Sequence, residues 1–403
     1  MAEFGQLPGQ NFYLELSIGN DRYNPNNIQY LVIREWIFNI LPTIEIQIVD
    51  EGYLTEVIPM QDQEDIEILL GKHEDDENPL EMTFSLDDYN VGIVGDNRRS
   101  IITITGHLKV DDMFVLKTRS FSRQNSSSVL STIASEAGLT FRNPHNIIPS
   151  DNMIWYQASL SNLDFIKHVL KRAYLPDDVM FFYANSQNNF ILTSLNSEIS
   201  KKEIGRAKFS VENYERNDVD EDDPDDTIWF NSYNIVNYSG YFNKKMTYGV
   251  THGYYDLENN SVYRIYSNIN RSLTDLSFRN SSLAGEPVRC SDCGGGDFIE
   301  RNIYGVEYFE SLARNKFLKQ NFFANSVVLN VNALSQVNLM DTIDVDIPSL
   351  ISFEQSNEVM SGFYLVAGVQ HEISNGSTYR KKVAISRNGM NKSPEVDFYE
   401  VES

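Results

Sequence analysis

Apolar and polar residues alternate at period two through both ends of the chain. TIEIQIVD at Thr43–Asp50 sets Ile44, Ile46 and Ile48 on one face and Glu45 and Gln47 on the other, the pattern of a half-buried strand. Phe12–Ile18, the run from Tyr30 to Asp50, DIEILLG at Asp65–Gly71, Glu81–Leu86 and Ile101–Leu108 continue it. Gly95, Asp96 and Asn97 supply a turn between the last two, and KHEDDENP reads as a solvated loop. Residues 1–120 are therefore expected to form one antiparallel β module.

The period changes after SRQNSSS. Val129, Leu130, Ile133, Ala134 and Ala137 form one helical stripe over Ser126–Ala137, and Gly138 stops it. A second helix opens at Ser161, with a capping hydroxyl, Asp164 at N3, and Leu160 placed to staple onto Phe165. Phe165, Ile166, Val169, Leu170 and Ala173 make its apolar face; Lys167, His168, Lys171 and Arg172 make the solvated one, His168 being read as a solvated residue rather than a ligand. VMFFYANSQNNFILTSL predicts a hairpin with its turn at Asn185–Asn189. Residues 121–210 thus read as a mixed α/β insertion with two short helices and a hairpin.

Residues 211–300 read as an acidic loop and irregular strands. Glu212–Asp226 packs nine carboxylates into fifteen positions and cannot bury itself; Ile228–Ile269 is rich in Tyr, Asn and Gly. Residues 301–403 return to a β module after a helix over Val306–Phe323, with Phe309, Leu312, Ala313 and Phe317 inward. VVLNVNAL follows, then DTIDVDI, where Ile343, Val345 and Ile347 alternate with Asp344 and Asp346. Ser361–Arg387 closes the module as a hairpin about Asn375-Gly376, two residues that tolerate positive φ. A two-residue turn puts Glu372 opposite Tyr379 and Val366 opposite Ile385, and leaves a wet tip bearing Lys381, Lys382 and Glu372.

The two β modules resemble each other. DIEIL at Asp65 and TIDVDI at Thr342 each precede a strand, a polar turn and a returning strand, and aligning Ile66 with Ile343 sets Ile102 beside Val383. One chain would then carry two copies of a similar barrel. The fold class expected is α+β, mainly β.

Composition narrows the function. The 403 residues are 41% hydrophobic and 12% aromatic, enough for well-packed globular cores. The net charge of −24 sets the surface field against nucleic acid and anionic lipid, so phosphate binding is not the main business; an acidic wall would instead let a polyanion pass without sticking. MAEFGQLPGQNFYLELSIGN has neither a basic nor an apolar segment of a signal peptide, and two cysteines fit synthesis in a reducing cytoplasm.

The search for chemistry comes back empty. HExxH, GxSxG, P-loop and GxGxxG motifs are missing, and Gly294–Gly296 lacks the lysine and helix that phosphate binding needs. Cys290 and Cys293 form one CxxC with no second pair, while the histidines at 73, 107, 145, 168, 252 and 371 are scattered; two free thiols are expected rather than a zinc site. The acidic run lacks the spaced Asp pattern of a calcium loop. No catalytic, metal or cofactor-binding residue is therefore assigned and no cofactor is expected. The role is read as structural, not enzymatic.

SGFYLVAGVQHEISNGSTYRKKVAISR resembles the closing hairpin of the baseplate hub proteins of contractile-tailed phages, with His371 and Arg387 where that pattern has them. SLSNLDFIKHVLKRAYLPDDVMFFYANSQNNFILTSL and NIVNYSGYFNKKMTYGVTHGYYDLENNSVYRI are similar to two further segments of that family. Leu339-Met340-Asp341 departs from it, relatives often having Gly before the Asp. The resemblance covers the chain from about residue 125, and the first 120 residues match in module type only. It implies a fold shared with the start of type VI secretion spike proteins and a homotrimer of two tail-tube-like barrels per chain. In that arrangement the trimer is a symmetry adapter between a sixfold tail tube and a central spike. The partners it implies are the spike, tube or tube-initiator proteins, the tape measure protein and surrounding baseplate wedge or ring proteins, with DNA only in transit. The expected location is the virion baseplate, after assembly in the host cytoplasm. Because the chain ends shortly after the hairpin, the spike is expected on another polypeptide. The alternatives are a tail-associated cell-wall hydrolase using carboxylates near Glu212–Asp226, or a host-binding tail protein. His371 and Arg387 are read as packing.

Overall fold

The alternating runs become strands of one thirteen-stranded sheet, and the apolar face of the first unit is buried with the helices that follow it, Val129, Leu130 and Phe165 among them. The computed structural model describes residues 12–19, 21–50, 64–73, 76, 79–94, 99–110, 112–175, 178–210, 227–237, 249–256, 261–268, 315, 319, 325–333, 335–349 and 355–387. The first unit holds β1 (Tyr13–Ile18), β2 (Asp21–Tyr23), β3 (Ile28–Trp36), β4 (Thr43–Asp50), β5 (Asp65–Gly71), β6 (Leu80–Val94) and β7 (Arg99–Leu108). Ile44, Ile46 and Ile48 are buried as their alternation predicts. β6 is longer than expected: it runs on from Leu86 to Val94, through a bulge between Leu86 and Asp88. A bulge adds one residue and turns the strand without ending it, so the polar Asp87-Asp88 pair reads in sequence as a stop. The turn at Gly95–Asn97 lies outside the described residues, as does most of KHEDDENP.

The insertion contains β8 (Leu116–Gln124), α1 (Ser126–Glu136), β9 (Thr140–Arg142), β10 (Met153–Ser161), α2 (Asn162–Arg172), β11 (Met180–Ala184), β12 (Asn189–Ser194) and α3 (Leu195–Ile199). Both expected helices form. Asn125 caps α1, Ser161 Oγ accepts from the Asp164 N–H at 3.1 Å to cap α2, and Gly138 takes φ +72° after α1. The β11–β12 hairpin turns at Asn185–Asn188, Asn188 taking φ +55°. The antiparallel β8–β10 pair has no counterpart in the expectation, since LKTRSFSRQ carries few apolar residues and its ladder partner lies beyond a whole helix. Asp151 ties this region together: its carboxylate accepts from Ser126 N and Oγ and from Tyr174 N, each at 2.7 Å.

The second unit holds β13 (Arg206–Phe209), β14 (Thr227–Asn237), β17 (Asn325–Val331), β18 (Thr342–Asp346), β19 (Gly362–Ser374) and β20 (Thr378–Arg387). Between β14 and β17, β15 (Gly249–Asp256) and β16 (Ser261–Asn268) form a separate antiparallel ribbon. β14 is a continuous strand with two register shifts rather than an irregular segment. The order β18-β13-β14-β17-β20-β19 closes on itself through β18–β19, making a six-stranded barrel. Glu212–Asp226, Cys290, Cys293 and the glycine triplet lie outside the described residues, as does the helix expected over 306–323 except for Asn315 and Lys319, both helical.

The internal repeat is present in detail. β3-β4-β7-β6-β5 and β14-β17-β20-β19-β18 share one neighbour order, every contact antiparallel. Ile66 faces Phe84 as Ile343 faces Tyr364; Ile46 faces Ile104 as Leu329 faces Val383; Ile33 faces Ile44 as Ile235 faces Val327. The bulge of β6 at Leu86/Asp88 recurs in β19 at Val366/Gly368, and a shift in β3 at Ile28/Tyr30 recurs in β14 at Phe230/Ser232. Ile66 does align with Ile343, but the partner of Val383 is Ile104 rather than Ile102. The loops differ in length, which moves the alignment by one pleat.

Candidate functional site

The closing hairpin is where the two units join. The first residues of β19, Gly362–Leu365, pair with β18 inside their own barrel; after the bulge, Gly368–Ser374 pair with Trp36–Tyr30 of β3. β20 covers the other edge of β19 along its length. The hairpin is therefore a shared wall between the units.

Its turn has the positive φ values expected, +52° at Asn375 and +61° at Gly376, but the ladder register differs from expectation. Ser374 faces Thr378, so Glu372 faces Arg380 and Ile373 faces Tyr379; the bulge near Val366 then restores the expected Val366–Ile385 pair. The tip is not wet. Asn375 N donates to Gln29 O at 2.8 Å, and a Cβ at Gly376 would lie 2.0 Å from Pro25 O. At the bulge a Cβ on Gly368 would lie 2.2 Å from the Trp36 ring. Both glycines are required by close approach.

Covering β19 with β3 buries polar groups that the alternation had placed near water. Lys381 and Glu372 are buried, Lys382 pairs with Glu372, and Lys381 Nζ donates to Ser335 O at 2.7 Å. Burial lowers the Lys381 pKa to about 8, against the pull of Glu35 and Asp341. Burial likewise raises Glu35 to about 7, with Lys381 opposing, and Asp341 to about 6. Buried His371 is held to about 3, stacks on Tyr379 and contacts its hydroxyl at 2.7 Å through Nδ1. Arg387 lies over the Tyr364 ring and donates to Val359 O at 2.6 Å and Ser361 O at 3.2 Å, holding the loop before β19.

A small apolar core backs this wall. Ile37 of the first unit, Val179, Phe181 and Tyr183 of the insertion, and Leu339, Leu365 and Ala367 of the second unit are packed together. Nearby, Glu198 at 2% exposure pairs with Lys201 and His145 and accepts from Thr193, while its backbone carbonyl takes a bond from Thr342 of β18. His168 is half-buried rather than solvated: it stacks on Phe165, contacts Arg172 through Nδ1 at 2.8 Å, and burial lowers its pKa to about 4.

Among the described residues no group of His, Cys, Asp and Glu is arranged to hold a metal ion, and no helix is long and apolar enough to cross a membrane. Lys382 and Glu372 pair directly, and Lys381 is drawn to Glu35 and Asp341 although burial outweighs that attraction at all three; opposite charges set across a seam suit fixing two units in one register. Sequence reasoning missed Glu35, Asp341 and Lys381 as partners, because they come together only in the fold, from β3, the turn before β18 and β20. The sequence held no signal for them, because the register that makes Lys381 the equivalent of Ile102 is fixed only by the strand pairing.

The exposed apolar side chains cluster elsewhere. Phe114, Val115 and Leu116 lead into β8, and Ile154 and Tyr156 stand on β10. Val91, Ile235 and Val236 stand at the rims of the two units.

No protein-family model matches the sequence and no curated protein does. Solved structures do. The 43 kDa tail protein of prophage MuSo2 from Shewanella oneidensis superposes with a TM-score of 0.58 over 94% of this chain and 99% of its own, at 10% identity. The tail protein from Neisseria meningitidis MC58 gives 0.56 over 94% and 98%, at 8% identity. A chain of the Francisella PdpA–VgrG complex gives 0.50 over 97% of this chain and 60% of its own, at 8% identity. This chain has the mainly β fold of phage tail proteins, along nearly its whole described length.

Proposed function

We propose that the protein is a structural hub of a phage tail baseplate, joining the tail tube to the central spike as a homotrimer. The observation that carries this is the duplicated five-stranded unit within one continuous sheet. Three copies of such a chain present six like units, so a threefold object can meet a sixfold tube. The fold likeness to two tail proteins over nearly their whole length supports the same reading. The partners are the spike, the tube or its initiator, the tape measure protein and surrounding baseplate proteins, and the location is the virion tail. The net charge of −24 suits a passage through which DNA moves without adhering. The role is architectural, without catalysis.

Mass photometry and averaged electron micrographs of the purified chain test this. A trimer whose averaged images show a ring of six similar densities is the expected result. A chain that stays monomeric at micromolar concentration, alone and with its spike partner, overturns it. Clearing of peptidoglycan abolished by a single carboxylate substitution would replace it with the hydrolase reading.

A further inference from the structure

The β8–β10 ribbon is a sheet of two strands, and among the described residues neither strand has a ladder partner on its other edge. Two strands alone are marginal in water, and a third makes such a sheet stable. One face is already covered: Phe121 stacks on Phe165 of α2, and Lys117 and Arg119 reach Glu136 of α1. The other face is bare. Leu116, Thr118 and Ser120 of β8 and Ile154, Tyr156 and Ala158 of β10 are exposed on it, Leu116 at 68% and Tyr156 at 55%, and none of them is charged. The ionic side chains of the two strands are all cations, Lys117, Arg119 and Arg123. Asp112 and Glu136 pair with the first two, whereas Arg123 is exposed and makes no ion pair among the described residues.

A segment of complementary pattern follows β20. Residues 388–403 lie outside the described residues and include EVDFYEVE at Glu395–Glu402. Its ionic residues, Glu395, Asp397, Glu400 and Glu402, are all acidic. Read as a strand with one bulge at Phe398-Tyr399, the run sets every carboxylate on one face and Val396, the two aromatics and Val401 on the other. Valine, phenylalanine and tyrosine favour strands, and no proline or lysine interrupts the run. The exit point of the chain fits as well. Ser386, next to the end of β20, faces Leu365, which packs with Phe181 of the insertion. Asn388–Pro394 then spans roughly 25 Å when extended, about the breadth of a domain of the insertion's size.

We propose that Glu395–Glu402 docks on the ribbon of its own chain as a third strand, along the free edge of β8. Main-chain bonds to that edge hold it, and the side chains select it. The carboxylates lie beside Lys117, Arg119 and Arg123, which is why β8 rather than the uncharged β10 is the edge used. Thr118 and Ser120 are small, so Phe398 and Tyr399 lie across them towards Tyr156. The strand straps the end of the second unit to the insertion. The contact lies within one chain and stands apart from the hub reading.

Amide hydrogen exchange tests it. Peptides covering Leu116–Gln124 should exchange at least about tenfold faster in a chain ending at Arg387 than in the full chain. A synthetic peptide of residues 394–403 added to the shortened chain should restore the protection, and the same peptide carrying Asp397→Lys and Glu400→Lys should not. Val396→Asp with Phe398→Asp in the full chain makes the same comparison with no residue removed, should the shortened chain fold poorly. Equal exchange in the full chain and in both altered chains overturns the proposal. The source of the strand is read from Ser120→Cys with Phe398→Cys in a Cys290→Ser, Cys293→Ser background: a thiol-to-thiol linker should close within one chain. A link formed only between chains, or protection that vanishes on dilution, overturns the assignment to the same chain. Arg123→Glu should speed exchange of the ribbon in the full chain and leave the shortened chain unchanged; the same acceleration in both overturns the charge match.

Discussion

Gly368 on β19 and Asp88 on β6 follow equivalent bulges on equivalent strands, yet Gly368 is pressed against the Trp36 ring while Asp88 stands exposed. The same holds one pleat either way. Lys381 has Ile102 as its counterpart, and buried His371 has exposed Val91. The two units share backbone, bulges and core positions, and differ where β3 covers one of them. Their interiors share apolar positions, such as Ile66 with Ile343 and Phe84 with Tyr364, whereas the rim of each strand reports what lies on it.

Substitutions exchanged between the two regions test that contrast, beginning with the largest effect. Ile102→Lys puts an ammonium into the fully buried apolar core of the first unit, and should cost about 4 kcal/mol or more, seen as a lower urea midpoint or as insoluble protein. Gly368→Ala should cost about 3 kcal/mol, because ladders on both sides of β19 hold the backbone against the tryptophan. Lys381→Ile gives the seam the other unit's residue and strands Ser335 O and two carboxylates; about 2 kcal/mol is expected at pH 7. Equal costs for Ile102→Lys and Lys381→Ile would dissolve the distinction between the two positions.

His371 supplies a pH signature of the covered edge. Its folded pKa of about 3 lies below the ordinary value of 6.5, so protonation favours the unfolded chain. The stability from the neutral ring is complete above about pH 6.5 and is lost as pH falls towards 3. His371→Gln removes that dependence, so its cost relative to wild type should shrink by up to about 1.4 kcal/mol per pH unit below 6.5, measured by urea unfolding at successive pH values. Val91→Gln, at the equivalent open position, should show no such trend. The smallest effect belongs to Asp88→Ala, expected within about 0.5 kcal/mol of wild type; a cost matching Gly368→Ala would mean that the β6 edge is covered within the chain.

What the amino-acid sequence determined alone is what local rules govern. Alternation marked β4, β5 and β18, a capping serine and an acidic third residue marked α2, and positive-φ residues marked the turns at Asn185–Asn188 and Asn375-Gly376, because pleat, cap and turn preferences act within a few residues. The duplicated module was legible too, since both copies need the same apolar period. Tertiary structure alone decided the rest. The bulge that carries β6 past Asp87-Asp88, the one-residue register change at the hairpin tip, the β8–β10 pair, and the burial of Lys381, Glu372 and His371 all depend on which strand lies alongside. For the seam that strand is β3, from the other end of the chain. A period-two pattern says that a face is buried; it carries no information about which distant edge buries it.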